Sequence, residues 1–234
     1  MARGWPLLLV LIAGQGWAGD GGSDEPGSNI TVAGDAAGDE SAWVGDYRIR
    51  DARGERELKL ARNGTRIEYR IAGEPIRVWR QTSDGVELRE LYPADRRMVV
   101  YAPGDLRTLD KVPDWAQLSG LVDPALRARL AVAGNAVAFA QPLARYRGVD
   151  AQGKHVELDW LAGPDLPTRY CTGKPNSSRC SGGDAIRLQG LTQVPVEQAF
   201  TPFDGLLEID HADLGDMEMD AFVHGLSHAE HPAH

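Results

Sequence analysis

No local catalytic signature is present in this chain. It has no Gly-x-Ser-x-Gly elbow, no His-Glu-x-x-His and no glycine loop of the phosphate-binding kind. These absences remove the hydrolase, zinc-protease and nucleotide-binding readings that rest on short motifs. A paired-carboxylate hydrolase survives them, since such pairs meet only in space. The expectation is a non-enzymatic protein that needs no cofactor.

Cysteine is scarce as well. Cys171 and Cys180 are the only two, with eight residues between them. A redox pair of the Cys-x-x-Cys type needs two intervening residues, and a zinc site needs further ligands. In an exported protein the pair reads as a local disulfide. Closing so short a loop adds roughly 2–3 kcal/mol on the chain-entropy argument.

Long apolar runs are limited to one, Leu7–Ala13, which follows Arg3 and precedes Gly16-Trp17-Ala18. It is short of the ~20 residues of a membrane span. Residues 1–18 read as an export signal cleaved near Ala18, with a retained N-terminal anchor as the alternative. No cysteine follows the cleavage site, which argues against a lipid-anchored mature form. Residues 19–41, rich in Gly, Asp, Glu, Ser and Ala, read as a disordered linker. A leader, a mature chain without a second long apolar run and one disulfide together indicate a soluble periplasmic protein.

The formal net charge of −9 argues against nucleic acid and anionic membrane as main partners. Arginines nevertheless alternate with the apolar positions: Arg48, Arg50, Arg66, Arg70, Arg77, Arg80 and Arg89. They read as the solvated face of a sheet or as a rim for anionic headgroups.

What the chain has in quantity is period-two alternation. Between Trp43 and Leu109, apolar residues occupy every second position in segments broken by turn residues about every ten residues. The segments are Trp43–Arg50, Glu55–Ala61, Thr65–Ala72, Pro75–Gln81, Val86–Tyr92 and Arg96–Ala102. Asn63-Gly64 is the strongest turn signal, because it tolerates positive φ at both centres. The pattern predicts an antiparallel meander with an inner face of Tyr47, Ile49, Leu58, Leu60, Ile67, Tyr69, Ile71, Ile76, Val78, Val86 and Leu88. Trp79 falls on the other side.

The rhythm breaks at Lys111. A helical turn is expected at Pro113–Leu118, and a helix over Asp123–Val132 with Asp123 as N-cap, Pro124 as first residue and Gly134-Asn135 as its end. Strands then resume at Ala136–Ala140, Ala144–Val149, His155–Leu161 and Ala185–Val194. Gly163–Gly183 reads as an extended loop, and Asp220–Leu226 as a short final helix.

The Trp43–Tyr47 opening, Arg66-Ile-Glu-Tyr-Arg70, Trp79-Arg80, Val86–Tyr92, Arg96–Tyr101, the Leu118–Leu130 insertion and Ile186–Val194 occur in an order that resembles the periplasmic lipoprotein carriers. These are the LolA/LolB group, with the RseB N-terminal domain as a relative. The resemblance implies a mainly β fold: an antiparallel unclosed half-barrel with a short helical insertion, here over residues 42–210. It also implies a cavity for an acyl chain, a lipoprotein or another hydrophobic ligand. The inner-face residues above would line it, and Trp115, Leu118, Leu126 and Leu130 would form its lid. The other reading of the same residues is a dry core under the helices. The Cys171–Cys180 loop and the tail lie outside the resemblance.

The tail, residues 211–234, is acidic and rich in histidine. His211, His224, His228 and His231 are candidate ligands for copper or another divalent metal, with His234 beyond them. A frayed, solvated tail is the plain alternative. Asp210, Asp213, Asp216 and Glu218 lack the spacing of a calcium loop and read as capping and solvating residues. A third functional reading is a sensor module that meets an envelope protein through its sheet edge.

Overall fold

The computed structural model describes residues 40–175, 180, 183–217 and 219–230. The expected leader and residues 19–39 of the expected linker lie outside them. Twelve strands form one sheet in the order β12-β6-β5-β4-β3-β2-β1-β11-β10-β9-β8-β7. They are β1 (Ser41–Asp51), β2 (Gly54–Arg62), β3 (Arg66–Ile71), β4 (Ile76–Thr82), β5 (Gly85–Tyr92), β6 (Arg97–Tyr101), β7 (Ala131–Ala138), β8 (Gln141–Val149), β9 (Lys154–Leu161), β10 (Leu166–Pro175), β11 (Ala185–Pro195) and β12 (Leu207–Asp210). Every pairing is antiparallel except β12 with β6. Strands β7 and β12 are the two edges, so the sheet is unclosed. Among the described residues five α-helices accompany it: α1 (Pro103–Thr108), α2 (Trp115–Gly120), α3 (Pro124–Arg129), α4 (Val196–Ala199) and α5 (Ala221–Glu230). A mainly β, unclosed antiparallel sheet with short helices is the architecture that the carrier resemblance implied.

The meander follows from alternation plus turn chemistry. At the β2–β3 turn the Asn63 side chain accepts hydrogen bonds from the backbone N–H groups of Thr65 and Arg66 at 3.1 and 2.8 Å. Asn63 thus acts through its carbonyl oxygen, and neither it nor Gly64 takes the left-handed conformation expected of that dipeptide.

The concave face carries the main core. Tyr47, Ile49, Leu58, Leu60, Ile67 and Leu88 are buried there with Trp79 beneath α1–α3, whose Leu106, Leu118 and Leu126 are wholly buried. Two members of the expected inner face are misplaced. Ile76 and Val78 face the convex side, in a cluster with Leu91, Met98 and Val100, and Trp79 points inward. The register pairs Ile67 with Trp79 and Glu68 with Val78, which sets the phase of β4. A one-residue error across the Gly73–Pro75 turn inverts every side chain of β4.

Asp123 caps α3 as expected, accepting from Ala125 N at 2.7 Å. The helix stops at Arg129, and Ala131–Ala138 is strand β7. It turns into β8 through Phe139 and Ala140, both at positive φ (52° and 56°). The expected loop over Gly163–Gly183 contains the ten-residue strand β10 instead, paired with β9 and β11. The Cys171–Cys180 disulfide is formed at its far end.

The convex face differs from a solvated arginine face over half its area. Residues 196–210, with α4 and β12, cross it as a strap. Beneath the strap Glu68 is fully buried. It pairs with Arg66 at 3.4 Å and with Arg70, and accepts from Thr201 N at 3.0 Å and Thr201 Oγ1 at 2.6 Å. The Arg66 guanidinium lies over Phe200, 4.3 Å from its ring centre. On the concave side of the same strands Arg77 bridges Glu74 and the buried Glu90 at 3.1 and 3.0 Å.

Candidate functional site

The concave face and part of the convex face are thus occupied, and the site lies where lid, sheet and rim meet. On the concave face one cross-strand row reads Trp43, Arg62, Ile67, Trp79, Leu88, Tyr101. Arg62 is the one charge in that row. A cleft of about 280 Å³ opens beside it, lined among others by Trp43, Asn63, Trp115, Ser119, Pro164 and Gln193.

The Arg62 guanidinium holds three elements together. It donates to Ser119 Oγ on α2 and to the carbonyl oxygens of Pro164 and Asp165 in the β9–β10 turn. Its Nε finds no acceptor among the described residues. Burial lowers its pKa from the ordinary arginine value, opposed first by the Asp165 carboxylate and then by Tyr47 and Tyr69.

Two tyrosines stand below it. Tyr69 donates its hydroxyl to the carbonyl oxygen of Leu118, which ties α2 to the sheet. The Tyr47 hydroxyl is buried without a hydrogen-bond partner among the described residues. Gly45 lets the Tyr47 ring lie along the strand, since a β-carbon there would meet Tyr47 Cε2 at 2.7 Å. Burial pushes both hydroxyls above the ordinary phenol range, and the Arg62 charge opposes this. A third latch holds α3. Arg127 pairs with Asp165 at 2.9 Å and lies over the Trp160 ring at 4.1 Å, while Trp160 Nε1 donates to the same carboxylate at 3.0 Å.

Of the expected cavity set, Tyr47, Ile49, Leu58, Leu60, Ile67, Tyr69, Ile71 and Leu88 share the concave face with lid residues Leu118, Leu126 and Leu130, all buried. Trp115 is half-buried at the cleft and Val86 packs at the edge of the core. Ile76 and Val78 belong to the other face. In this state the concave face is filled by its own side chains and the lid.

Of the expected metal ligands, His211 and His224 are the two whose side chains are described, His224 being exposed on α5. The His211 ring stacks on Tyr101 at 4.5 Å, the His228 side chain lies outside the described residues, and so do His231 and His234. Among the described residues, one group of potential ligands converges elsewhere: His155, Glu157 and Cys180. Cys180 is disulfide-bonded and offers no thiolate. The start of the tail is also more ordered than a frayed end. Phe222 packs edge-on against Tyr92 at 5.0 Å, and Asp220 pairs with Arg97 at 3.2 Å.

Reading by sequence missed Arg62, which looked like part of a turn. The signal was available: continuing the alternation Leu58, Leu60 by one step places residue 62 on the inner face.

No helix among the described residues is long and apolar enough to cross a membrane. No protein-family model matches the chain, and no curated protein matches it in sequence. Solved structures with a similar chain course include an uncharacterized conserved protein from Thermus thermophilus, at 10% identity and TM-score 0.44, covering 74% of this chain and 91% of that one. The Pseudomonas aeruginosa MucA/MucB complex is similar at 11% identity and TM-score 0.40, covering 71% of this chain and 57% of that one. A LolA superfamily protein from Nitrosomonas europaea is similar at 10% identity and TM-score 0.26, covering 70% of this chain and 91% of that one. These are likenesses of chain course, and the fold described above is read from the strand order itself.

Proposed function

We propose that the protein is a non-enzymatic binding or carrier protein for an amphiphile, an acyl chain with a polar end such as that of a lipoprotein, and that it works in the periplasm. The observation that carries this reading is the pair of unmet polar groups beside the cleft. Tyr47 Oη and Arg62 Nε are buried without partners among the described residues; Arg62 lines an opening flanked by Trp43 and Trp115, and Tyr47 lies within electrostatic reach of Arg62. An unmet buried polar group costs about 1–3 kcal/mol, and a carbonyl or carboxylate entering there would satisfy both. The apolar tail would then run along the concave face and replace the contacts of α2 and α3, which sit on that face as six-residue helices. The filled structure is the closed resting form. The disulfide and the leader-like sequence support an oxidising compartment.

Native mass spectrometry and lipid extraction of protein purified from periplasm test this. Co-purified acyl-bearing molecules, reduced in an Arg62→Ala variant, are the expected result. Ligand-free protein that also takes up no added fatty acid would overturn it.

One observation favours a second reading. Edge strand β7 exposes Val132 and Val137, and no charged residue occurs from 131 to 141. Natural edges are normally blunted by charge. An extended apolar segment of an envelope protein could add to β7 as a further strand. A Val137→Lys variant that keeps acyl binding but loses a defined protein complex would assign the edge to that role.

A further inference from the structure

Charge is segregated along this chain. Residues 41–187 hold 24 Lys and Arg against 19 Asp and Glu. Residues 188–234 hold no Lys or Arg and nine Asp and Glu. Residues 4–40 likewise hold no Lys or Arg and six Asp and Glu: Asp20, Asp24, Glu25, Asp35, Asp39 and Glu40. A basic sheet is therefore bracketed by two acidic ends.

The structure shows where one acidic end goes. Residues 199–208 of the carboxyl-terminal segment lie on the β3–β6 half of the convex face, where the Thr201 and Ala199 carbonyls receive Arg66 and Arg70 and Glu208 faces Arg89 at 3.7 Å. Asp220 pairs with Arg97 at 3.2 Å on the concave side. On the other half of the convex face α4 covers the end of β1 and β11 at Ala42, Val44 and Val194, and the end that carries Arg48 and Arg187 has no such cover among the described residues. Across it one register row reads Glu57, Arg48, Arg187, Arg169, Asp159, Arg145. Three arginines thus stand directly opposite one another on adjacent strands, an arrangement that is repulsive unless anions meet it. Arg48 is half-exposed and shares the exposed Glu55 at 3.2 Å, and Arg169 shares Glu157 with Arg147 at 3.0 Å. Arg187 is exposed, with no carboxylate in ion-pair reach among the described residues.

We propose that the acidic amino-terminal segment, residues 20–39, docks on the Arg48–Arg187–Arg169 row. The tether fits. The segment joins the sheet at Ser41, the first residue of the strand that carries Arg48. Seven residues of strand separate them, about 23 Å. Twenty residues span at most about 66 Å, so the row is within reach of the segment. The contact is electrostatic and gives way at high salt.

Arginine modification by phenylglyoxal, mapped by mass spectrometry, tests this on the intact protein. The comparison is a variant with Asp20→Asn, Asp24→Asn, Glu25→Gln, Asp35→Asn and Asp39→Asn, all outside the described residues. At low ionic strength Arg187 should react about fivefold more slowly in the unaltered protein, the scale of a few surface ion pairs. The exposed Arg129 should react equally in both, and about 1 M salt should erase the difference. Equal Arg187 rates in the two proteins would overturn the proposal. So would protection that grows with protein concentration, which would assign the contact to a second copy.

Discussion

Replacing Glu68 by glutamine should loosen the strap without disturbing the concave core. Glu68 is wholly buried and satisfies two guanidinium groups, one backbone N–H and one hydroxyl. Charge-assisted bonds of this kind are worth about 1.5–3 kcal/mol each, but they are not additive. Removing one partner of a buried pair typically costs about 3–5 kcal/mol. Arg66 and Arg70 retain some exposure (22% and 30% of their side chains) and can turn partly to water. The expected loss for Glu68→Gln is therefore at the lower end, about 3 kcal/mol. Urea unfolding followed by intrinsic fluorescence gives the total. Limited proteolysis gives the place: cleavage near Phe203–Gly205 should accelerate well below the global midpoint. A loss under about 1 kcal/mol, or uniform protection of the strap, would refute the reasoning that Glu68 is the strap's anchor.

Other outcomes follow from the same geometry. Tyr47→Phe removes an unpartnered buried hydroxyl, so stability should hold or rise by up to about 1 kcal/mol in the same urea assay. Stability should fall as pH rises beyond about 10, because the folded state holds Tyr47, Tyr69 and Tyr170 protonated above the unfolded phenol value. The contribution is fully present below that value, and the Tyr47→Phe, Tyr69→Phe double variant should show a shallower alkaline slope. Phe139→Asn with Ala140→Gly should stabilise the β7–β8 hairpin by about 1–2 kcal/mol, measured by thermal unfolding, since both positions are left-handed.

The half-barrel was legible because alternation is a direct record of a two-faced strand. Tyr47, Ile49, Leu58, Leu60, Ile67 and Tyr69 show it without ambiguity, and Asp123-Pro124 marks the start of α3 as plainly. Elements that obey no local signal were not legible. Strand β10 carries Pro167 and Gly173 and is held by its neighbours on both sides. Strand β12 has four residues and exists through its parallel partner β6. The β7–β8 turn uses Phe-Ala where Asn-Gly would have announced it. The phase error at Ile76 and Val78 has the same origin: alternation fixes the faces within a strand, but pairing fixes them between strands. Of the site, the apolar lining was visible in the chain. The inward position of Arg62 follows from extending the Leu58, Leu60 alternation, but its bonds and the buried pairing of Glu68 were not visible, because a charge on a strand reads as solvated until the layer above it is known.

The central claim is that the concave face is a ligand site held shut by a latched lid. The Tyr69 hydroxyl bond to Leu118 is one latch, worth about 1 kcal/mol. Removing it with Tyr69→Phe should shift the open population and tighten apparent ligand affinity by about fivefold. The direct measurement is a titration of both proteins with a fluorescent long-chain fatty acid. Saturable binding, competed by unlabelled acyl chains and tighter in Tyr69→Phe, is expected. Absence of saturable binding in both proteins, with circular dichroism showing the sheet intact, would contradict it.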